Sequence, residues 1–106
     1  MDKLRFLGLD RTRVTDEGLE HLKRLKDLRA LMLRETGVSD KGLAHLSELN
    51  QLAMLDLSKT KVTDGGLVHL KALKKLLILT VGGTEVTEEG VKELKKARPK
   101  LKVDMD

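Results

Sequence analysis

The 106-residue sequence predicts an α/β solenoid built from repeated strand, turn and helix units. The first observation is that a shift of 24 residues brings nearly every apolar residue onto another apolar residue. The second is that each period opens with leucines spaced as LxxLxL, and the third is that it continues with apolar residues three apart. Alternation is typical of strands, and spacing by three is typical of the apolar stripe of a helix, so each period holds both elements.

Length and composition indicate a single soluble domain. Apolar residues make up 40% of the sequence and charged residues 36%, and no apolar run approaches the roughly 18 residues of a membrane span. The absence of cysteine excludes disulfides, thiolate metal sites and a cysteine nucleophile. The net charge is +4, and counting by period gives about +1, 0, +3 and 0, so no basic block stands out. The compartment stays open, with the cytoplasm favoured, because we expect neither a signal peptide nor a transmembrane segment.

A strand is expected near the start of each period, where alternate residues are apolar. The pairs are Leu7 with Leu9, Leu31 with Leu33, Leu55 with Leu57, and Leu79 with Val81. A further leucine stands three residues before each pair, at Leu4, Leu28, Leu52 and Leu76. Val103 and Met105 fall one period beyond the last pair, so we expect a fifth strand after a turn at Pro99.

A turn and the start of a helix are expected after each strand. A threonine column marks the turn, and we expect its hydroxyls to be buried and to bond the backbone of adjacent turns. This column is Thr12, Thr36, Thr60 and Thr84. Three residues later come Thr15-Asp16, Ser39-Asp40, Thr63-Asp64 and Thr87-Glu88. The hydroxyl there can cap a helix, and the acid beside it is favourable at the positive end of the helix dipole.

The helix of each period carries its inward residues at a spacing of three, and its other positions are mostly charged. The inward residues are Leu19, Leu22 and Leu25; Leu43, Leu46 and Leu49; Leu67, Leu70 and Leu73; and Val91, Leu94 and Ala97. One residue before each set stands a glycine, at Gly18, Gly42, Gly66 and Gly90. We expect these glycines to let each helix start pack closely on its neighbour, rather than to supply a positive φ.

The complete pattern, LxxLxLxxTxVTDxGLxxLxxLxx, resembles the leucine-rich-repeat family over nearly all the chain. Its VTDxGL core is most similar to the cysteine-containing class known from F-box proteins, with threonine in place of cysteine. The resemblance implies a right-handed leucine-rich-repeat solenoid with a concave parallel sheet and convex helices, a shape that presents an extended binding surface. We expect one domain, 1–106, with repeats near 4–27, 28–51, 52–75 and 76–99 and a partial repeat 100–106.

The candidate binding site is the concave face, where side chains between the inward leucines point to solvent. One column is Phe6, Ala30, Met54 and Ile78, and beside it run Gly8, Met32, Asp56 and Thr80, then Asp10, Arg34, Ser58 and Gly82. Phenylalanine and methionine on an open sheet favour contact with another protein. The expected partner-binding residues are Phe6, Ala30, Met32, Met54, Asp56 and Ile78. The alternative is that these residues only shield the sheet.

Two other polar features have structural interpretations that we prefer. His21, His45 and His69 form a column, but neighbouring helix axes about 8–10 Å apart make convergence on one ion difficult, so we expect packing between helices and no metal. Asp16, Asp40, Asp64 and Glu88 recur at helix starts, and no single position gathers a nucleophile, a base and an orienting group. We therefore expect no catalytic residues and no cofactor.

The C-terminal region has the densest basic stretch and could contact phosphates. Its cations are Lys92, Lys95, Lys96, Arg98, Lys100 and Lys102, and nearby acids that offset them are Glu88, Glu89, Glu93, Asp104 and Asp106. The chain has a single aromatic residue and thus no stacking platform for single-stranded nucleic acid. A nucleic-acid partner is therefore not expected.

The favoured function is a non-catalytic protein-interaction module that binds a partner through the concave sheet. The alternative is a self-associating structural or engineered repeat scaffold, since the sequence shows no recognisable caps and homo-oligomers could form through the concave face or the ends. An enzyme is the third class, and nothing in the residues indicates a reaction. The expected partner is another protein or a second copy of the chain, with no membrane contact.

Overall fold

The computed structural model describes residues 3–106, and strands alternate with helical segments along the chain. The strands are Phe6–Gly8 (β1), Ala30–Met32 (β2), Met54–Asp56 (β3), Ile78–Thr80 (β4) and Lys102–Asp104 (β5). The α-helices are Asp16–Glu20 (α1), Asp40–Leu46 (α2) and Glu88–Ala97 (α3), and the 3-10 helices are His21–Arg24 and Asp64–Ala72. Residues 1 and 2, which the expected domain includes, lie outside the described residues.

The five strands form one parallel sheet in the order β1-β2-β3-β4-β5. Each strand pairs with the next at a register of 24 residues, so that Leu31 lies opposite Leu7 on one side and Leu55 on the other. The same register continues to Leu79 and Val103. The predicted fifth strand is confirmed, and the α/β class with a parallel sheet is confirmed with it.

The core lies between the sheet and the helical segments, and it is formed by the leucine columns. Leu31, Leu55 and Leu79, from the three central strands, are fully buried. Leu7 and Val103 in the outer strands are only half-buried, although they occupy the same column. The core is therefore sealed by contact between neighbouring repeats, and it is incomplete where a described repeat has a neighbour on one side only.

The helical segments differ from the predicted four regular α-helices. The first is a single α turn followed by the 3-10 helix His21–Arg24, and the third, Asp64–Ala72, is 3-10 throughout. A 3-10 helix has three residues per turn, so leucines spaced by three fall on one line along it. An α-helix rotates that line only gradually, so the same spacing also buries Leu43 and Leu46 in α2 and Val91 and Leu94 in α3. Spacing by three therefore indicates a helical segment but does not fix its type.

The acids at the helix starts link each repeat to the next. Asp40 accepts a hydrogen bond from the Thr63 backbone N–H at 2.8 Å and another from the Thr63 hydroxyl at 2.6 Å. Asp16 does the same with Ser39, and Asp64 with Thr87. Stabilisation of the helix dipole was expected, and the bonds between repeats are an additional role that places each acid against the following turn.

The glycine column makes room for these acids. A Cβ atom on Gly66 would overlap the Asp40 carboxylate, and Gly42 and Gly90 stand in the same relation to Asp16 and Asp64. None of the three has a positive φ. Close packing, the favoured interpretation, accounts for these glycines. At Gly18 the nearest atom to such a Cβ is Cγ1 of Val14 at 3.7 Å, an ordinary contact.

The threonine column closes its own turn and does not bond the adjacent one, which corrects the prediction. Thr60 Oγ1 donates to the Leu57 carbonyl at 2.7 Å, three residues earlier in the same loop. Thr12, Thr36 and Thr84 make the equivalent bond. Adjacent turns are linked by the aspartates described above and by backbone bonds, as from Lys61 N–H to the Val38 carbonyl at 3.0 Å. A hydroxyl on a short side chain reaches its own loop more easily than a neighbouring repeat.

Hydroxyl capping of the helix starts occurs in two repeats of four. The Thr63 hydroxyl accepts from Gly65 N–H at 3.2 Å, and the Thr87 hydroxyl accepts from Gly90 N–H at 3.3 Å. Thr15 and Ser39 make no such bond. The predicted caps are therefore wrong for the first two helical segments.

One turn position adopts the left-handed backbone conformation in four consecutive repeats. Arg11, Glu35 and Lys59 have φ of 57°, 55° and 56°, and Gly83 has φ of 72°. Glycine adopts this conformation without strain, whereas other residues do so at some cost. Both cations contact the Glu35 that lies between them, with Arg11 Nε 3.5 Å and Lys59 Nζ 3.7 Å from its carboxylate oxygens.

Candidate partner-binding face

The sheet has one face against the core and one face open to solvent, and the open face carries the predicted apolar column. Phe6 is 60% exposed, Met54 39% and Ile78 38%. They alternate with buried or half-buried leucines, because successive side chains of a strand point to opposite faces. The pairing register places Phe6, Ala30, Met54 and Ile78 side by side across four strands.

The remaining predicted partner-binding residues are less accessible. Ala30, Met32 and Asp56 are half-buried. Asp56 Oδ1 accepts a hydrogen bond from Ser58 N–H at 2.9 Å, so this carboxylate also holds the turn that follows β3. The structure thus brings all six predicted residues onto the open face. The large exposed apolar side chains form one column, and beside it lies the Asp56 carboxylate, which is already hydrogen-bonded within its own turn.

The third column, Asp10, Arg34, Ser58 and Gly82, was predicted to point to solvent. This prediction is wrong for Ser58 and Gly82. Ser58 is buried and its hydroxyl has no hydrogen-bond partner among residues 3–106, and Gly82 is buried as well. These residues follow the strands by two positions, where the backbone is already turning and simple alternation no longer holds. Gly82 lies so close to the backbone of Asp106 that a Cβ atom would overlap it.

The histidine column does not form a single packed feature. His21 is exposed, whereas His45 and His69 are half-buried. Packing between helices was expected for all three, and it does not describe His21. Within the described part of the chain, no three histidine, aspartate or glutamate side chains come close enough to share a metal ion.

Two large exposed apolar residues were missed by the sequence analysis. Val68 and Leu77 are each 54% exposed. Val68 lies in the 3-10 helix Asp64–Ala72, on the side away from the sheet, and lines a groove against α3. Leu77 immediately precedes β4. A partial signal was their position in the 24-residue register: Leu77 aligns with Arg5 and Arg29 but also with the buried Leu101, and Val68 aligns with Glu20 and Lys92 but also with Ala44.

Solved structures that are similar to this chain include a leucine-rich-repeat protein of Leptospira interrogans. That match covers 96% of this chain at 21% identity, with a TM-score of 0.72. This chain has the leucine-rich-repeat fold. A second match is to the Mex67:Mtr2 subunits of Chaetomium, over 92% of this chain at 21% identity with a TM-score of 0.69. An internalin of Listeria monocytogenes matches over 94% of this chain at 16% identity, with a TM-score of 0.54.

These matches differ in how much of the other protein they cover. The chain spans 25% of the Leptospira protein, 77% of the Chaetomium chain and 40% of the internalin. Identities of this size show the shared leucine-rich-repeat fold alone. No family model and no curated protein matches the sequence. Among residues 3–106, no helix has both the length and the apolar content that crossing a bilayer requires.

Proposed function

We propose that this leucine-rich-repeat chain is a non-catalytic protein-interaction module that binds its partner through the open face of the sheet. In this proposal the sheet is the concave side of a right-handed solenoid of about four and a half 24-residue repeats, and the helical segments are convex. The proposal also assigns the repeats to the cysteine-containing class, on the VTDxGL pattern of the sequence. The proposed contact residues are Phe6, Ala30, Met32, Met54, Asp56 and Ile78.

The observation that carries the proposal is the exposed apolar column. Phe6, Met54 and Ile78 lie in register on a parallel sheet, and with Ala30 they cover four strands, or about 14 Å at the usual strand spacing. Exposed phenylalanine and methionine side chains lose ordered water when a partner covers them, which stabilises the complex. Methionine also adjusts its shape to the surface it meets.

The open face of the sheet can bind a partner because its side chains, unlike those of the opposite face, are not part of the core. Its large side chains can contact a partner without any change in the packing of Leu31, Leu55 and Leu79 on the other face. Binding and folding are thus carried by different side chains of the same strands. This separation makes the proposal testable by substitution.

Self-association is the second candidate, and a specific observation supports it. Leu7 in β1 and Leu9 just after it are half-buried, although their counterparts, Leu31 in β2 and Leu33 just after it, are fully buried. Beside them, the Thr15 N–H and hydroxyl and the space next to Gly18 have no acid from another repeat among the described residues. A second copy of the chain could cover this surface, in which case the chain acts as a structural scaffold.

The test replaces Phe6, Met54 and Ile78 together by serine. The variant should stay folded, although it should melt at a lower temperature, because polar residues at exposed strand positions cost about 1 kcal/mol or less each, or at most about 3 kcal/mol for all three. It should lose association with a partner, or with itself if the open face joins two copies. The control is Val68→Ser, which removes an apolar group of similar exposure, 54%, from the helical side.

Light scattering across a dilution series assigns the result to one candidate. A monomeric wild type and a triple variant that stays folded but no longer binds support the partner module. An oligomer that the triple substitution leaves intact would favour the second candidate and place association at the β1 end. A triple variant that fails to fold would show that the column belongs to the core and would contradict both the geometry and the proposal.

A further inference from the structure

The charges of this chain separate along the strand direction, a feature that counting by repeat hides. Before β1, and from the end of each helical segment up to the next strand, the chain carries fourteen lysines and arginines and two acids, if Lys102, the first residue of β5, is included. These stretches are residues 3–5, 23–29, 47–53, 71–77 and 95–102. Because the strands are parallel, all five stretches meet at the same edge of the sheet, which we call the basic edge.

The opposite edge has the reverse charge. From the end of each strand to the helix start, the chain carries twelve acids and six lysines and arginines. These stretches are residues 8–17, 32–41, 56–65, 80–89 and 104–106. The small formal charge of +4 therefore conceals a strongly positive edge and a negative one.

The acids that offset the C-terminal cations in the sequence do not offset them in space. Glu88 and Glu89 begin α3, whereas Lys95 and Lys96 end it, about 10 Å further along the helix. That distance exceeds the screening length of about 8 Å at physiological salt. Glu93 is the exception, because its carboxylate lies 3.0 Å from Lys96 Nζ and that hydrogen bond lowers the pKa of Glu93.

The basic edge also contains an apolar groove. A cavity of about 240 Å³ is lined by Leu77, Pro99 and Leu101 together with Lys74, Arg98 and Lys100. The Leu77 side chain is 54% exposed there, and no other repeat has an exposed leucine at this position. The Nε of Arg98 is buried and has no hydrogen-bond partner among residues 3–106. Lys74 and Lys100 make no ion pair with any acid among residues 3–106.

We propose that the basic edge is a second binding surface, which takes an acidic peptide segment of a protein partner and seats one of its aliphatic side chains in the groove at Leu77. The lysines attract the acidic residues, and the buried leucine contact fixes the position of the peptide. A duplex nucleic acid would satisfy the lysines but leave Leu77 uncovered, because a phosphate backbone offers it no apolar group. The sole aromatic side chain, Phe6, belongs to the open face and cannot stack a base here.

Stabilisation of helix ends does not account for the whole basic edge. A cation in the last helical turn is favourable next to the negative end of the helix dipole. Lys74, Lys75, Lys100 and Lys102 lie beyond that turn, in the connection to the next strand or at its first residue. The exposed Leu77 among these lysines has no role in helix stability either. The lysines and Leu77 together are better explained by a ligand that carries both negative charge and an apolar side chain.

The test measures binding of a short labelled peptide in which two adjacent leucines are flanked by glutamates. Two other ligands are measured for comparison: the same peptide with serine in place of leucine, and a short DNA duplex. Fluorescence anisotropy should show that the leucine peptide binds most tightly and that added salt weakens it. Tighter binding of the duplex, equal binding of the serine peptide, or no binding of the leucine peptide would overturn the proposal.

Substitutions in the full chain complete the test. Lys74→Glu with Lys100→Glu should raise the Kd of the leucine peptide by about tenfold or more, and Leu77→Ser should raise it by about tenfold. The matched control, Lys41→Glu with Lys61→Glu on the opposite edge, should leave the Kd within about twofold. The serine variant of the open face should also bind the peptide normally, so this proposal and the open-face function can fail independently. A control pair that weakens binding as much as the Lys74 and Lys100 pair would contradict the assigned position.

Discussion

The close approach of the Asp40 carboxylate to Gly66 gives a direct test of how the repeats are joined. A Cβ atom on Gly66 would overlap the carboxylate and touch Leu43, so Gly66→Ala must move Asp40 away from the turn that it holds. That carboxylate accepts two hydrogen bonds from Thr63, at 2.8 Å and 2.6 Å. Gly66 does not need a positive φ, so alanine brings no backbone strain of its own.

The expected loss of stability follows from those bonds. A hydrogen bond to a charged group contributes about 1.5–3 kcal/mol, and a displaced carboxylate should lose at least one of the two. Alanine regains up to about 1 kcal/mol over glycine in a helical segment. Gly66→Ala should therefore lower the free energy of unfolding by about 1–2 kcal/mol. Gly18→Ala, where the nearest atom is 3.7 Å away, should raise it by up to about 1 kcal/mol.

Urea unfolding followed by circular dichroism measures both changes in stability. Gly18→Ala is the control, because Gly18 occupies the same position of the repeat but has no carboxylate against it. The comparison is valid if the dependence on urea is the same in all variants. In an Asp40→Ala background the Gly66→Ala substitution should become nearly harmless, because the group it displaces is gone. A Gly66→Ala variant as stable as the wild type, or a Gly18→Ala variant that loses as much, would refute the role of the carboxylate.

Three further substitutions test other parts of the fold by the same unfolding measurement. Leu55→Ala should cost about 2–5 kcal/mol, because a fully buried side chain leaves a cavity, and a loss below about 1 kcal/mol would contradict its place in the core. Thr60→Val should cost about 1–3 kcal/mol by removing the bond to the Leu57 carbonyl, and the exposed control Lys61→Ala should cost almost nothing. Lys59→Gly should raise stability by about 0.5 kcal/mol, because relief of the left-handed strain slightly exceeds the added flexibility of the unfolded chain. A clear loss of stability in Lys59→Gly would show that its contact with Glu35 outweighs the strain.

The sheet and its register could be predicted because the leucine columns are nearly invariant along the chain. A parallel pairing that shifts by one residue would turn Leu31 and Leu55 to solvent, so the apolar pattern leaves one acceptable register. The same alternation placed Phe6, Met54 and Ile78 on the open face. Both inferences depend only on which side of a strand each residue faces.

The details that escaped prediction depend on distances between repeats or on geometry beyond the strand. The type of helix is one, since spacing by three suits both an α stripe and a 3-10 line over two turns. The hydrogen bonds that Asp40 accepts from Thr63 are a second such detail, because a pattern that repeats every 24 residues does not show which neighbouring repeat an acid contacts. Ser58 was misplaced because alternation was continued past the end of β3.

The separation of charge between the two edges was hidden for a related reason. Glu88 and Lys96 are close in the sequence but lie at opposite ends of one helix. Lys3 and Lys100 are far apart in the sequence but belong to stretches that meet at one edge. Counting charge by repeat adds the two edges together, whereas counting by position within the repeat would have revealed the difference from the sequence alone.

Photo-crosslinking from the open face tests the central proposal most directly. A benzophenone amino acid at position 54 places the reactive group in the exposed column, and the same amino acid at position 68 places it on the helical side with comparable exposure. In the cells that make this protein, position 54 should give a discrete crosslinked species with a second protein, and position 68 should give little. If position 68 gives the discrete species and position 54 gives none, the partner binds the helical side, and the open face is not the binding surface.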